Sequence, residues 1–582
     1  MPEGRYGSDL IVDVIKQYNF PWITLNPGAS YRGLHDSLVN YGGNEPPMIL
    51  CPHEKIAVFM AMAYAKVTGK PLVAIVHDTV GLMHASMAIY YAYLERIPVI
   101  ILGGTGPMDT KERRPGADWI HTAVPQYEPI KEYVKWAHQP VGAHDVVDSF
   151  ARAYRIAMTE PQGPVYLCYD AGFQEAMLTD DVTVHNPART QPGTPMYADP
   201  RALDTLADKL VASAQPVIVA GTVARHPEAF GYLVTLAETL GAAVIDQWDR
   251  LNFPSDHPLN ITRMANATLN QADCVLALDA RNLYGAISRE DATTGNNEYI
   301  TPRNCYIAEI GHRDLDPSTW AEDFCQFVPV DLQITASTAV ALPELTQRVK
   351  ARLERNPDAQ ARVKARAEAT AELHKTTRAR WLTDARKDWD AIPMTSSRLA
   401  MEVWEAIKDE DWVLTVNPLW GVAARLWDFD KPHRFPGNMG GTATGATIGL
   451  SLGTALAYKG SGKLIVDIQN DGDLMFDASA LWVAANQRLP MLVVMFNNRA
   501  YYNDWGHQIH IAKERGRPVE NAHIGQVITD PDPDFAMLAR SFGWYAEGPI
   551  TDPKDLGPAL ARAIAEVKAG RPALVDAIAQ NR

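Results

Sequence analysis

The chain has 582 residues with 54 Lys and Arg against 69 Asp and Glu, a formal net charge of −15 that argues against a general nucleic-acid or anionic-membrane binder. Single cores stop growing near roughly 250–300 residues, so several domains are expected, with 47% hydrophobic and 21% charged residues, as in a globular enzyme. Five scattered cysteines (Cys51, Cys168, Cys274, Cys305, Cys325) lack any CxxC, residues 1–18 lack a signal-peptide core, and no apolar run nears the ~20 residues of a membrane span, which together point to a reducing cytoplasm without structural zinc.

Residues 1–185 alternate apolar strand candidates with helical periods, the α/β pattern, with strands expected at 22–25, 48–51, 72–76 and 98–102. The loop after the first strand reads Asn26-Pro27-Gly28-Ala29-Ser30. After the second strand comes His53-Glu54, then a helix over 56–67 that is apolar nearly all round and so is expected to be buried on every side. Gly69 suits its C′ position and Pro71 a stop. Taken alone, Glu54 reads as a first-turn glutamate that complements the helix dipole. His77 closes the third strand beside a glycine-containing loop, a place for a proton relay or for a histidine bonded into the loop. His121 reads as a second catalytic candidate or as a surface histidine.

A second α/β block spans 190–345, with strands expected at 216–220, 243–245, 274–278 and 305–310. Residues 346–390 are helical and heavily charged, which reads as a solvated connector. The third block, 391–582, has strand candidates at 413–416, 464–468, 491–496 and 573–576. No GxGxxG opens a helix after a strand, and Gly462-Lys463 lacks the upstream glycine of a P-loop, so dehydrogenase and NTPase readings lose. Asn470-Asp471-Gly472-Asp473 follows the strand at 464–468 and precedes a helix expected at 478–486. Asn497-Asn498 follows the next strand. In such a βαβ unit the two parallel strands end at one sheet edge. Asp471 and Asn498 then meet beside a helix N-terminus, offering hard oxygen ligands for Mg²⁺ and N–H groups for a phosphate.

This stretch resembles the thiamine-diphosphate motif, a GDG opening and an NN close, with Asp471 and Asn498 27 positions apart. Asn470 replaces the first glycine, and Asp473 stands where a small residue is common. The run from Cys51 through His53-Glu54 to Tyr64-Ala65-Lys66-Val67-Thr68-Gly69-Lys70 resembles the same family's first-domain segment. Two motifs more than 400 residues apart, in the family's order, make the resemblance specific. It covers nearly the whole chain and points to the acetolactate synthase and benzoylformate decarboxylase type. The resemblance implies an α/β fold of three doubly wound parallel-sheet domains. These are a pyrimidine-binding domain (1–185), a central domain (190–345) and a diphosphate-binding domain (391–582), with the connector 346–390 between the last two. It implies Mg²⁺ held by Asp471, Asn498 and the carbonyl of Ala500. It implies cofactor contacts from Glu54, Asn438, Gly440, Gly472, Asp473, Leu474 and Tyr502, and a wedge under the cofactor from Thr444 or Met439. Glu54 would favour the imino tautomer of the cofactor's pyrimidine. His77 and His121 would be catalytic, His77 foremost.

The departures weigh between members of the family. Ala29 falls where benzoylformate decarboxylases carry a serine, unless Ser30 replaces it. The Phe-Gln-Glu signature of acetolactate synthases is absent around His121, and the long C-terminal lid of acyl-CoA-using relatives is absent after the last strand. FAD, which some relatives bind in the central domain, is disfavoured because 220–225 and 279–282 lack a strong glycine-rich signature. The expected function is Mg²⁺- and thiamine-diphosphate-dependent cleavage or formation of the C–C bond beside a carbonyl, with a benzoylformate decarboxylase-like 2-oxo acid decarboxylase first. An acetolactate synthase-type carboligase, a 2-hydroxyacyl-CoA lyase and a catalytically silent cofactor-binding subunit are the alternatives. The expected partners are a small 2-oxo acid and further copies of the chain. A homodimer or homotetramer would carry the active site at a subunit interface lined by the helix over 56–67.

Overall fold

The computed structural model describes residues 4–179, 181–290, 297–315, 318, 326–416, 418–419, 421–438 and 445–581. Three parallel sheets follow one another along the chain. The first is built from β1 (Ile23–Leu25), β2 (Met48–Leu50), β3 (Val73–Ile75), β4 (Ile100–Thr105), β5 (Trp136–His138) and β6 (Val165–Asp170), in the order β2-β1-β3-β4-β6-β5. The second uses β7 (Pro216–Ala220), β8 (Ala243–Asp246) and β9 (Cys274–Leu278). After a small antiparallel pair, β10 (Ser288–Glu290) and β11 (Asn297–Tyr299), it adds β12 (Tyr306–Gly311) and β13 (Leu332–Thr335), in the order β13-β12-β9-β7-β8. The third is β14 (Trp412–Val416), β15 (Leu464–Asn470), β16 (Leu492–Asn497), β17 (Tyr545–Ile550) and β18 (Ala573–Ile578), in the order β14-β15-β16-β18-β17.

Apolar side chains on both faces of the strands make each sheet the middle layer of three. In β9, Leu276 and Leu278 enter one core while Val275 and Ala277 enter the core on the other face. In β15, Val466 and Ile468 face one core and Ile465 the opposite one. A strand buried on both faces is the mark of a parallel sheet covered by crossover helices, and the three doubly wound domains follow from it.

The helix Glu54–Thr68 ends at Gly69 in the left-handed region, φ +70°, as its sequence demands. It is buried almost throughout, but inside its own chain, against the helix Thr447–Ala457 of the third block. Two glycines on that partner permit the approach. A Cβ at Gly449 would stand 2.8 Å from Phe59 Cβ, and one at Gly453 would overlap the Met60 carbonyl oxygen. The expectation that this apolar helix lies at a subunit interface is thereby corrected, because its apolar surface is consumed within the chain.

Two further expectations change. The single helix at 478–486 is a pair, Asp471–Phe476 and Ala480–Gln487, broken where Asp477 leaves helical geometry at φ −140°, ψ 40°. The charged connector is the helix Pro357–Asp384, and it is not simply solvated. Arg366 is buried and donates to Leu240 O (2.7 Å) and Ser213 O (2.8 Å), carbonyls at the ends of two central-domain helices that lack partners within those helices. His374 Nδ1 lies 2.7 Å from Asn260 O. Among the described residues, no helix is long and apolar enough to cross a membrane.

Candidate cofactor site

β15 and β16 pair in register, with Asn470 opposite Phe496, so the segments leaving them run side by side at one sheet edge. Asp471 is buried there at the start of the helix Asp471–Phe476, and its Oδ1 accepts from Gly472 N at 2.8 Å. Burial pushes this carboxyl up to about 6, against the pull of backbone N–H groups from Gly472, Arg499 and Ala500. After β16 the chain turns through Arg499 at φ +57°, a left-handed conformation that costs a non-glycine residue on the order of 1 kcal/mol. The turn brings the side chain of Asn498 and the carbonyl of Ala500 onto Asp471. The Asn498 side-chain amide donates to Ala500 O at 3.0 Å and to Asp471 Oδ1 at 3.2 Å.

Here the amide nitrogen closes the corner with those two hydrogen bonds. Neighbouring ligands of an octahedral Mg²⁺ stand about 2.9–3.0 Å apart, so the same corner would take the ion through the Asp471 carboxylate, the Ala500 carbonyl and the Asn498 amide oxygen once that amide turns over. The same three groups thus serve an empty and a loaded corner.

Beside it, Gly472 is obligatory. A Cβ there would stand 2.6 Å from the Tyr501 ring, whose hydroxyl donates to Gly472 O at 3.3 Å. Tyr501 was missed by the sequence reasoning. Its neighbour Tyr502 instead meets the Trp505 ring edge-on at 5.5 Å, on the helix Tyr502–Glu514. Leu474 is fully buried in the core. Asp473 turns inward, its carboxylate accepting from Gly445 N at 2.7 Å and from the Thr447 hydroxyl. Asn438 has both side-chain polar atoms buried without a partner among the described residues. Gly440 and the wedge candidates Met439 and Thr444 lie outside the described residues.

Glu54 is buried at the first turn of its helix. His84 Nδ1, which the sequence reasoning did not single out, stands 3.2 Å from its Oε2, and the His84 ring stacks on His53 at 4.7 Å. His53 caps the helix by accepting from Lys55 N. Gly81 separates Glu54 from His77. A Cβ there would stand 2.6 Å from Glu54 Oε1 and 2.7 Å from His77 Cβ. His77 Nδ1 lies 2.9 Å from Ser30 Oγ, and burial pushes its imidazole down, with His121 as a second cause. The serine of this pocket is therefore Ser30, one position after Ala29. Asp78 sits at the N-cap of the helix Thr79–Leu94 but makes no side-chain cap, forgoing a bond of about 1 kcal/mol. Its Oδ1 instead lies 2.7 Å from His121 Nδ1 and 3.5 Å from His77 Nε2. Only long-range geometry shows this: 43 positions separate Asp78 from His121.

Family models for the thiamine pyrophosphate enzymes match in order. The N-terminal TPP binding domain matches residues 5–127, the central domain 203–345 and the C-terminal TPP binding domain 419–577. The chain belongs to the thiamine pyrophosphate enzymes. Among curated members of this family, it is 26% identical to the benzoylformate decarboxylase of Pseudomonas aeruginosa, over 95% of this chain and 98% of that one. It is 24% identical to the acetolactate synthase isozyme 3 large subunit of Escherichia coli (strain K12), over 98% of this chain and 94% of that one. The solved benzoylformate decarboxylase of Polynucleobacter necessarius superposes with a TM-score of 0.76 over 99% of both chains at 19% identity, which shows a shared fold. The residues present suit thiamine diphosphate: the corner of Asp471, Asn498 and the Ala500 carbonyl, the buried side-chain atoms of Asn438 without a partner among the described residues, and a glycine-floored helix N-terminus at Gly472.

Proposed function

We propose that this thiamine pyrophosphate enzyme is a Mg²⁺-dependent 2-oxo acid decarboxylase. In this reading Asp471, Asn498 and the Ala500 carbonyl hold Mg²⁺ against the diphosphate, and Gly472, Leu474 and Asp473 contribute backbone around it. When bound, thiamine diphosphate supplies the electron sink that lets CO₂ leave beside a carbonyl. Glu54, buried and ionisable, holds the proton relay at the pyrimidine end. The observation that carries the choice of a decarboxylase is the pair of imidazoles beside Glu54, His77 bonded to Ser30 Oγ (2.9 Å) and His121 facing Asp78 (2.7 Å) with ring centres 5.0 Å apart, because releasing an aldehyde requires a protonating group near neutral pH.

Carboligation is the second reading, supported by the acetolactate synthase relatives across the full length. A homodimer or homotetramer is part of the proposal. Val80, Met83 and Met87 form an exposed apolar row on the helix that carries His84, and Met475 and Phe476 are exposed just after Asp471. A cytoplasmic setting without FAD completes it.

The test is CO₂ release from a panel of 2-oxo acids that includes benzoylformate and pyruvate, with every product identified. An aldehyde as the main product supports the proposal. Acetolactate or another ligated product as the main outcome moves the assignment to a carboligase.

A further inference from the structure

Two imidazoles occupy one pocket, with ring centres 5.0 Å apart, and a single carboxylate reaches both. We propose that Asp78 is a positioning residue that makes His121, rather than His77, the imidazole carrying the exchangeable proton of this site. The role in turnover rests on the decarboxylase reading, whereas the protonation pattern does not.

The geometry assigns different work to the two rings. Asp78 is 1% exposed and faces His121 Nδ1 at hydrogen-bond distance. An ionised carboxylate accepts only, so it holds the N–H at Nδ1, fixes the tautomer and leaves Nε2 to gain or lose the working proton. The same carboxylate sits 3.5 Å from His77 Nε2, beyond a good hydrogen bond, and His77 Nδ1 is engaged by Ser30 Oγ. Burial pushes His77 down, which favours its neutral form, and the Ser30 contact holds it as an orienting ring.

The other charges around the pocket leave Asp78 to decide between the rings. Asp118, on the short helix that ends at His121, is taken up by Arg114, which donates to it at 2.6 Å and 3.0 Å. Glu54 acts on His77 from the helix Glu54–Thr68, and Arg114 acts on both His77 and Asp78. Tyr166 and Cys168 of β6, which also feel Asp78, are fully buried and pushed up, so they stay neutral. Asp78 is pushed up to about 6, chiefly by burial and against the pull of His121. In turnover, the proton on His121 Nε2 passes to the carbon that has lost CO₂. The Nδ1 proton stays on the Asp78 side, and Nε2 is reloaded from water at a side chain 22% exposed.

The experiment is diethyl pyrocarbonate labelling of the Mg²⁺- and thiamine-diphosphate-loaded enzyme from pH 5 to 8, read per histidine by peptide mass spectrometry. This reagent reports the unprotonated ring without any substrate. The expected labelling midpoint is at higher pH for His121 than for His77. D78N should lower the His121 midpoint by about one pH unit, a tenfold loss of proton affinity, and move His77 less. H121Q should raise the His77 midpoint by removing a like charge. An unchanged His121 midpoint in D78N overturns the proposal, as does His77 titrating above His121 in the wild type. If D78N fails to fold, the two wild-type midpoints and H121Q decide it. With benzoylformate as the probe, D78N should lower kcat at least about tenfold, keep KM within about threefold and shift the acid limb of the pH profile. A wild type that releases no CO₂ from any 2-oxo acid would remove the decarboxylase reading, and the labelling midpoints would still decide the dyad.

Discussion

Lys55 Nζ lies 2.9 Å from Asp477 Oδ2, and both side chains are almost wholly buried. The residue after Glu54 is thus tied to the break that follows the helix of Asp471. This ion pair ties the first domain to the third within one chain. Removing one partner of a buried pair strands the other charge and typically costs about 3–5 kcal/mol. Lys55→Met should lower the unfolding midpoint clearly in a urea titration followed by tryptophan fluorescence. Adding Asp477→Leu should recover most of the loss. Equal midpoints for wild type and the single variant would show that the pair holds nothing together.

Asp471 supplies the only full negative charge among the three groups of that corner, Asp471, Asn498 and the Ala500 carbonyl. Asp471→Ala should weaken Mg²⁺-dependent thiamine-diphosphate binding at least about 100-fold, because the diphosphate then lacks its metal counter-charge. Isothermal calorimetry with and without Mg²⁺ measures it. Wild-type affinity in the variant would remove the metal assignment.

Glu54→Gln keeps the shape of the buried side chain while losing its charge. Cofactor binding should persist, and exchange of the thiazolium C2 proton, followed by NMR, should slow by orders of magnitude. Exchange at the wild-type rate would contradict the role given to Glu54.

Legibility in the sequence tracked how local each signal was. β7 and β9 were read to the residue because their apolar runs are punctuated by turn residues at both ends. β5, β13 and β17 were missed. They lie at sheet edges, are short or half-exposed, and in β17 Gly548-Pro549 interrupts the pairing with β18. β6 was missed although it is apolar and buried, because a six-residue run does not by itself separate strand from helix. Glu54, Asp471 and Asn498 were legible because each sits in a motif of fixed spacing. Ser30 was legible only as a replacement for the serine missing at Ala29, and Asp78 and Tyr501 were not, because their parts depend on contacts between segments that sequence periodicity does not relate.

Asp467, in the middle of β15, is fully buried, bonded to Ser451 Oγ at 2.8 Å, and pushed up to about 7 chiefly by burial. In the unfolded chain such a carboxyl releases its proton at about 4. Between those values the native state binds more protons, so this group's stability contribution falls as pH rises from about 4 to 7. The loss is on the order of a few kcal/mol and is complete above pH 7. Asp467→Asn keeps the acceptor for Ser451 and carries no charge. It should melt above wild type at pH 8, with the gap closing towards pH 4–5, as read by calorimetric scans at each pH. A gap independent of pH would mean that Asp467 is not the titrating group.

The packing of Glu54–Thr68 on Thr447–Ala457 constrains how the chain is made. The second helix leaves the ribosome some 380 residues after the first, a wait of about 20–80 s at ordinary elongation rates of roughly 5–20 residues per second. Through that interval Ile56, Phe59, Met60 and Ala63 lack the surface that Gly449 and Gly453 will provide. The nascent N-terminal half therefore emerges with an unfinished core. Its apolar helix face stays open until the last third of the protein arrives to complete it.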